Sequence, residues 1–190
     1  MNIEGILPYA RSLMQRVIKP GSVAIDGTVG NGHDTLFLAK LVGENGRVFG
    51  FDIQEQAILH TKELLEKNGV ADRVTLFQQG HETIGECLPA ETYGKISGAM
   101  FNLGYLPGGD KSIVTKPDTT ISAISQLIDM LAKGGILGAV IYHGHEEGAQ
   151  ERDHVLNYVK ELDQMKVHVL QYGFINQKNN PPFLLAIEKR

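Results

Sequence analysis

Apolar and polar residues alternate along this chain in blocks, and the blocks predict strands and helices in turn. Short apolar runs such as residues 136–142 are bounded by glycine or polar residues, which is typical of strands buried in a parallel sheet. In other stretches, such as residues 6–18, apolar residues recur at helical spacing, which indicates an amphipathic helix. The predicted strands are 23–26, 47–52, 73–77, 96–102, 136–142, 167–174 and 183–188, and the predicted helices are about 5–18, one starting near 34, 56–68, 118–133 and 147–162.

The predicted strands and helices alternate until the last two strands, which only residues 176–182 separate. This alternation predicts an α/β fold with a doubly wound, mostly parallel sheet and helices on both faces. The last two strands are expected to pair antiparallel. The chain has 190 residues without a linker or repeat, so we expect a single domain, residues 1–190, that opens with the helix at about 5–18.

The first strand leads into a glycine turn and then into the start of a helix. Its acid, Asp26, is followed by Gly27, Gly30 and Gly32, a different glycine order from the G-x-G-x-x-G of dinucleotide sites. A carboxylate here would repel a pyrophosphate but suits a ligand with a cationic part. The stretch resembles motif I, D-x-G-x-G-x-G, of class I S-adenosylmethionine-dependent methyltransferases, with Thr28 in place of the first glycine.

That resemblance implies a Rossmann-like, seven-stranded fold with one antiparallel strand at the edge, and S-adenosylmethionine as cofactor. Asp52 ends the second predicted strand, where such folds place a carboxylate for ribose hydroxyls, although it could instead cap the next helix. Strand-exit loops supply the remaining candidates, because ligands bind at the carboxyl ends of parallel strands. The expected cofactor residues are Asp26, Thr28, Gly30, Asn31, Gly32, Asp34, Thr35, Asp52, Gln54, Gly80, His81 and Asn102.

The loop after the fourth predicted strand carries the clearest sign of the chemistry. Asn102 ends a buried strand and Tyr105 follows, a variant of the (D/N)-P-P-Y motif of amino-group methyltransferases with Leu103-Gly104 in place of the prolines. In that motif an amide oxygen and a backbone carbonyl accept hydrogen bonds from the target nitrogen, while the aromatic ring stacks on the substrate. An ordinary turn is the alternative interpretation.

Five blocks together resemble one family along nearly the full chain: residues 25–35, 51–54, 80–82, 102–111 and 142–145. The family was once described as putative rRNA methylases, and its members are now assigned as tRNA 5-aminomethyl-2-thiouridine methyltransferases (MnmM, or YtqB-like). The resemblance implies methylation of the aminomethyl group on the wobble uridine, with tRNA bound by its anticodon loop. The implied catalytic residues are Asn102, Tyr105, Tyr142 and His143, and the implied substrate-binding residues are Tyr105, Lys111, Tyr142, His145 and Arg152.

An alkylamine is mostly protonated at neutral pH, so the site must desolvate it or remove its proton. His81, His143 and Asp34 are the candidate proton acceptors, and the sequence does not choose among them. The pair His143-x-His145 could instead bind a metal, but the further ligands of such hydrolase sites do not follow it, and we expect no metal.

The net charge of −4 means that any contact with RNA needs a local basic patch. Basic residues near the predicted site are Lys111, Lys116, Arg152 and Lys178, whereas Arg11, Arg16 and Lys19 on the first helix are expected to be solvated. The single cysteine, Cys87, and the lack of a signal-peptide pattern or a membrane-length apolar run favour a cytoplasmic protein away from membranes. A homodimer is left open.

Three other functions fit parts of the pattern. A methyltransferase acting on rRNA, a small molecule or a protein amine would share the cofactor site, and only the loop at 102–111 argues against it. A nicotinamide-dependent reductase is disfavoured by the glycine order. A non-enzymatic nucleotide-binding module is disfavoured by the many polar residues in the fourth and fifth exit loops.

Overall fold

The computed structural model describes residues 2–104, 114–144 and 146–190. In those residues the strands are β1 (Val23–Asp26), β2 (Arg47–Phe51), β3 (Val74–Phe77), β4 (Ile96–Leu103), β5 (Leu131–Ile141), β6 (Val167–Tyr172) and β7 (Phe183–Lys189). The helices are α1 (Ile6–Val17), α2 (His33–Val42), α3 (Glu55–Lys67), the short α4 (Ile84–Cys87), α5 (Pro117–Met130) and α6 (Glu146–Lys160). None of these helices is long and apolar enough to cross a membrane.

The strands form one sheet in the order β3-β2-β1-β4-β5-β7-β6. The strands β1 to β5 pair in parallel, whereas β7 is antiparallel to both β5 and β6. The doubly wound, mostly parallel sheet is therefore confirmed, and so is the antiparallel pairing of the last two strands. The antiparallel strand is not at the edge, however, because β7 returns between β5 and β6 and leaves β6 outermost.

Helices cover both faces of the sheet, because successive side chains of a buried strand point to opposite sides. On β1, Ile25 packs in the core beneath α5 and α6, whereas its neighbour Ala24 packs in the core beneath α1 and α2. On β4, Phe101 and Met100 divide in the same way. The strands between these two cores are held rigidly, which fixes the positions of the loops at their carboxyl ends.

The predicted helix 118–133 ends earlier than expected. Helix α5 stops at Met130, and β5 already begins at the buried Leu131, which pairs with Ile96. The register of β4 and β5 then shifts before Gly98 pairs with Ile136. Apolar spacing at 127–131 fits a helix as well as a strand, and contact with β4 decides between them. The predicted start of β5 at residue 136 moves back to Leu131, the expected end of β6 at residue 174 moves to Tyr172, and the remaining boundaries shift by at most two residues.

Candidate active site

A cavity of about 920 Å³ opens at the carboxyl ends of the parallel strands. Eleven of the residues predicted from the sequence line it: Thr28, Gly30, Asn31, Asp34, Asp52, Gln54, Gly80, His81, Asn102, Tyr142 and His143. These residues come from turns far apart in sequence, and the parallel sheet brings them to one edge. The cavity is large enough for a nucleotide-sized ligand and the end of a second substrate.

The glycine turn forms one wall of this cavity, and its glycines are required by geometry. A Cβ atom on Gly27 would lie 2.1 Å from Cε1 of Phe101, which is fully buried in the core. Gly32 has a φ angle of +76°, which L-residues with side chains rarely adopt, and a Cβ there would meet Thr61. The turn therefore lies close against the sheet, and the next helix begins at its end.

Asp52 holds the glycine turn to the loop that follows β2. Its carboxylate accepts hydrogen bonds from the backbone N–H of Gly30 at 2.8 Å and of Gln54 at 2.9 Å. Helix α3 begins only at Glu55, and Gln54 occupies its N-cap position, so Asp52 is not the helix cap. Each carboxylate oxygen keeps a lone pair after these bonds, and the residue lines the cavity. Asp52 can therefore accept hydrogen bonds from a ligand's hydroxyl groups.

Asp26 lies beneath the cavity rather than in its wall. Its carboxyl group is fully buried and accepts hydrogen bonds from the Thr35 hydroxyl at 2.6 Å and the Thr28 N–H at 3.2 Å. Burial, reinforced by the negative charge of Asp34, raises the pKa of Asp26 to about 7. Gly32 and Thr35 also lie outside the lining. Asp26, Gly32 and Thr35 are expected from the sequence to contact the ligand. In the structure they lie outside the cavity lining and support the turn from below.

The end of β4 presents Asn102 to the cavity. Its backbone N–H donates to the Thr28 hydroxyl at 2.6 Å. Thr28, which replaces the first glycine of motif I, therefore has a structural role. Its side-chain Nδ2 donates to Oδ2 of Asp34 at 2.8 Å. Asp34 in turn accepts from Nε and a terminal nitrogen of Arg11 through Oδ1, at 2.9 and 2.7 Å.

Arg11 was expected to be solvated, and the structure corrects this. Its guanidinium pairs with Asp34, lies 5.4 Å from the centre of the Phe37 ring and lines the cavity. Sequence analysis missed it because the partner is 23 residues away. Leu7, four residues earlier on the same helical face, also lines the cavity.

His81 and His143 line the cavity, and each ring donates one hydrogen bond to a backbone carbonyl. Nδ1–H of His81 donates to the Gly27 carbonyl at 3.1 Å, while Nε2 lies 3.4 Å from the oxygen of Thr120, whose hydroxyl donates to Glu151. Burial lowers the pKa of His81, so the ring is neutral. His143 bonds the Pro181 carbonyl at 2.9 Å and Arg152 at 3.3 Å. The rings orient loops in these positions.

Tyr142 contributes an aromatic surface that is 36% exposed. Burial of part of the ring, together with the nearby charge of Asp34, raises the pKa of its phenol, which therefore stays protonated. Its Cβ atom lies 3.2 Å from where a Cβ on Gly104 would be, so glycine lets the two exit loops meet.

Two further basic residues predicted near the site differ in position. Lys116 lines the cavity, whereas Arg152 lies outside the lining, pairs with Asp153 at 2.8 Å and contacts His143 at 3.3 Å. Tyr105, Lys111 and His145 lie outside the described residues. Within residues 2–104, 114–144 and 146–190, no three His, Cys, Asp or Glu side chains cluster as a metal site.

A buried carboxylate behind the site also escaped sequence analysis. Glu151 of α6 is 1% exposed and accepts hydrogen bonds from the hydroxyls of Thr115 at 2.5 Å and Thr120 at 2.6 Å. Thr115 also accepts the N–H of Gly104 at 2.9 Å. The network connects α6 to the loop that follows Asn102. Its pattern could not be found in sequence, because the helical spacing of Glu151 resembles that of solvated acids.

Comparison with known proteins yields a family and relatives of similar size. The model of the family described as "Putative rRNA methylase" matches residues 48–188. A crystal structure of a putative rRNA-methylase from Clostridium thermocellum is 45% identical with a TM-score of 0.96, each chain covered in full. A putative methyltransferase from Streptococcus mutans, solved in complex with SAH, is 41% identical with a TM-score of 0.89 over 99% of each chain.

A curated relative carries a more specific description. The chloroplastic tRNA (mnm5s2U34)-methyltransferase of Arabidopsis thaliana is 40% identical over 150 residues, which is 75% of this chain and 54% of the relative. The chain therefore spans about half the length of that relative.

Proposed function

The chain belongs to the "Putative rRNA methylase" family, and we propose that it is an S-adenosylmethionine-dependent methyltransferase of tRNA. Its proposed target is the 5-aminomethyl group of wobble 2-thiouridine. The observation that carries this is the similarity to the Arabidopsis tRNA (mnm5s2U34)-methyltransferase. We place the activity in the cytoplasm, where a chain with the single cysteine Cys87 stays reduced.

The residues around the glycine turn fit this cofactor. Asp52 has lone pairs left for ribose hydroxyls, and the turn from Gly27 to Asn31 lets a ligand approach the backbone. Gln54 and His81 lie in the same wall. The relative from Streptococcus mutans, which was solved in complex with SAH, supports this choice of cofactor.

When bound, S-adenosylmethionine would supply a sulfonium methyl group to the lone pair of the neutral amine, with sulfur keeping the electron pair of the broken carbon–sulfur bond. The methylated product would be an ammonium ion, which would release its proton to water. Asn102 lines the same cavity as Asp52 and Tyr142. Its amide oxygen accepts a hydrogen bond from the target nitrogen and aims the nitrogen lone pair. Tyr142 offers its ring to the uracil. Positioning of this kind supplies much of the rate enhancement in a transfer between two bound reactants.

The proton of the amine needs a separate account. Both ring nitrogens of His143 are engaged, and Nε2 of His81 faces the buried Thr120. Asp34 accepts two hydrogen bonds from Arg11 through Oδ1 and one from Asn102 through Oδ2, which keeps one lone pair. We propose that the amine binds in its neutral form, which a partly apolar cavity favours because burial disfavours the ammonium.

The family description names rRNA as an alternative substrate, and one experiment separates the two. Nucleosides of tRNA and rRNA are compared by mass spectrometry between the source strain and a strain lacking this protein. We expect the mutant to accumulate unmethylated 5-aminomethyl-2-thiouridine at the wobble position, with rRNA unchanged. Loss of a methyl group from rRNA alone would overturn the proposed substrate and leave the methyltransferase activity standing.

A further inference from the structure

The Asn102 side chain is held in one orientation by a charged partner. A carboxylate can only accept hydrogen bonds, so Asp34 Oδ2 must face the amide nitrogen of Asn102, at 2.8 Å. Turning the amide over would place its oxygen against the carboxylate and replace an attraction with a repulsion. The amide oxygen of Asn102 is therefore directed away from Asp34.

Asp34 is itself held by helix α1. Two nitrogens of Arg11 converge on Oδ1, at 2.9 and 2.7 Å, which leaves Oδ2 for Asn102. The Phe37 ring lies 5.4 Å from the guanidinium on another side. The guanidinium also offsets a carboxylate that is only 8% exposed and would otherwise carry an unpaired buried charge.

We propose that Arg11 is a positioning residue for methyl transfer, acting through Asp34 to hold the amide oxygen of Asn102 toward the target amine. This inference rests on the proposed function and adds α1 to the machinery of that site. The substrate class it fits is an amine, because a nitrogen donor needs an acceptor oxygen. An arginine at the cavity rim could instead bind a phosphate directly. Loss of a positioning Arg11 should matter only while Asn102 is present, whereas loss of a phosphate-binding Arg11 should not depend on Asn102.

A double-mutant cycle distinguishes them, with kcat and KM measured on tRNA carrying the aminomethyl group. Arg11→Ala is expected to lower kcat about tenfold in the wild-type background and less than about twofold in the Asn102→Ala background. Arg11→Lys keeps the charge and should recover part of kcat. Arg16→Ala removes a charge from an exposed position on the same helix and should match the wild type. Equal losses in both backgrounds, or a loss confined to KM, would overturn the inference.

A second readout needs no tRNA. The side-chain amide protons of Asn102, assigned by their loss in Asn102→Ala, report the bond to Asp34 in a nitrogen-15 spectrum. In Arg11→Ala the bonded proton should shift toward the position of exposed asparagines, whereas in Arg16→Ala it should stay. An unmoved signal in Arg11→Ala would contradict the positioning role. If the signal moves but wild-type protein methylates no tRNA, the proposed function fails while the positioning of Asn102 stands.

Discussion

Asp26 is a carboxyl group whose pKa in the folded protein lies near neutrality, raised by burial from an ordinary value of 3.8 to about 7. Between these values the folded state binds a proton that the unfolded state has released. The contribution of Asp26 to stability is therefore fully present below the lower pKa and is lost as pH rises through the upper one. Buried carboxylates normally act in the opposite direction when they are paired with cations.

The substitution Asp26→Asn isolates this effect. The free energy of unfolding of the wild type, minus that of Asp26→Asn, should fall by about 1.4 kcal/mol between about pH 6 and about pH 8. Urea titrations of the cofactor-free protein measure it, and taking the difference cancels the opposing contribution of His81. Asp72→Asn, at a side chain that is 72% exposed, is the control and should show no such slope. A difference that rises with pH would contradict the burial of a protonated Asp26.

Asp52 joins the glycine turn to the loop after β2, and we propose that it binds the ribose of S-adenosylmethionine, so its removal should weaken cofactor binding. Asp52→Ala loses charge-assisted hydrogen bonds worth on the order of 1.5–3 kcal/mol, or roughly tenfold or more in Kd. Calorimetry with the cofactor measures this loss. Glu55→Ala removes an exposed carboxylate at the start of α3 and should bind as the wild type does. Equal affinities for wild type and Asp52→Ala would remove the ribose role.

At the scale of elements, the loop after β4 depends on helix α6 through one hydroxyl group. Thr115→Val leaves the Gly104 N–H and a Glu151 oxygen without their partner at nearly constant side-chain volume. A buried group left unsatisfied costs about 1–3 kcal/mol, so we expect that loss in the free energy of unfolding and a lower kcat. Thr75→Val, on the exposed side of β3, tests the same chemical change without those bonds. Similar stability for both variants would show that the network contributes nothing.

The sequence predicted the strands well because buried parallel strands are continuous apolar runs ended by polar residues. The same logic brought Asp52, Asn102 and His143 to one cavity. It misplaced the end of α5 because Leu131 fits either periodicity until β4 packs beside it. It overlooked Arg11 because a lone arginine on an amphipathic helix carries no local sign of a distant carboxylate.

Motif I also does not show which of its residues are buried in the folded protein. Asp26 and Asp52 each end a strand, yet only Asp52 reaches the cavity. The difference lies in Thr35 and the Thr28 N–H, which occupy the Asp26 oxygens from within the protein. Motif I therefore located one wall of the cavity without separating the residue in contact with the cavity from the one that supports it.

For the whole molecule, a net charge of −4 opposes an RNA partner unless positive charge is concentrated at the cavity. Lys116 is exposed and lines the cavity, so Lys116→Ala should lower the slope of log K against log salt for tRNA binding by about 1. Lys95 is exposed just before the amino end of β4, at the opposite edge of the sheet, and Lys95→Ala should leave the slope unchanged. Equal salt slopes for Lys116→Ala and Lys95→Ala would show that tRNA does not contact the protein at Lys116.

We propose that this chain transfers a methyl group to the aminomethyl nitrogen of the wobble uridine, and one assay tests this directly. Purified protein and labelled S-adenosylmethionine are incubated with two tRNA samples that differ only in whether the aminomethyl group is present. We predict label in the first sample alone, recovered by mass spectrometry as one methyl group on the wobble nucleoside. Equal labelling of both samples, or label only when rRNA is supplied, would contradict methylation of the wobble aminomethyl group.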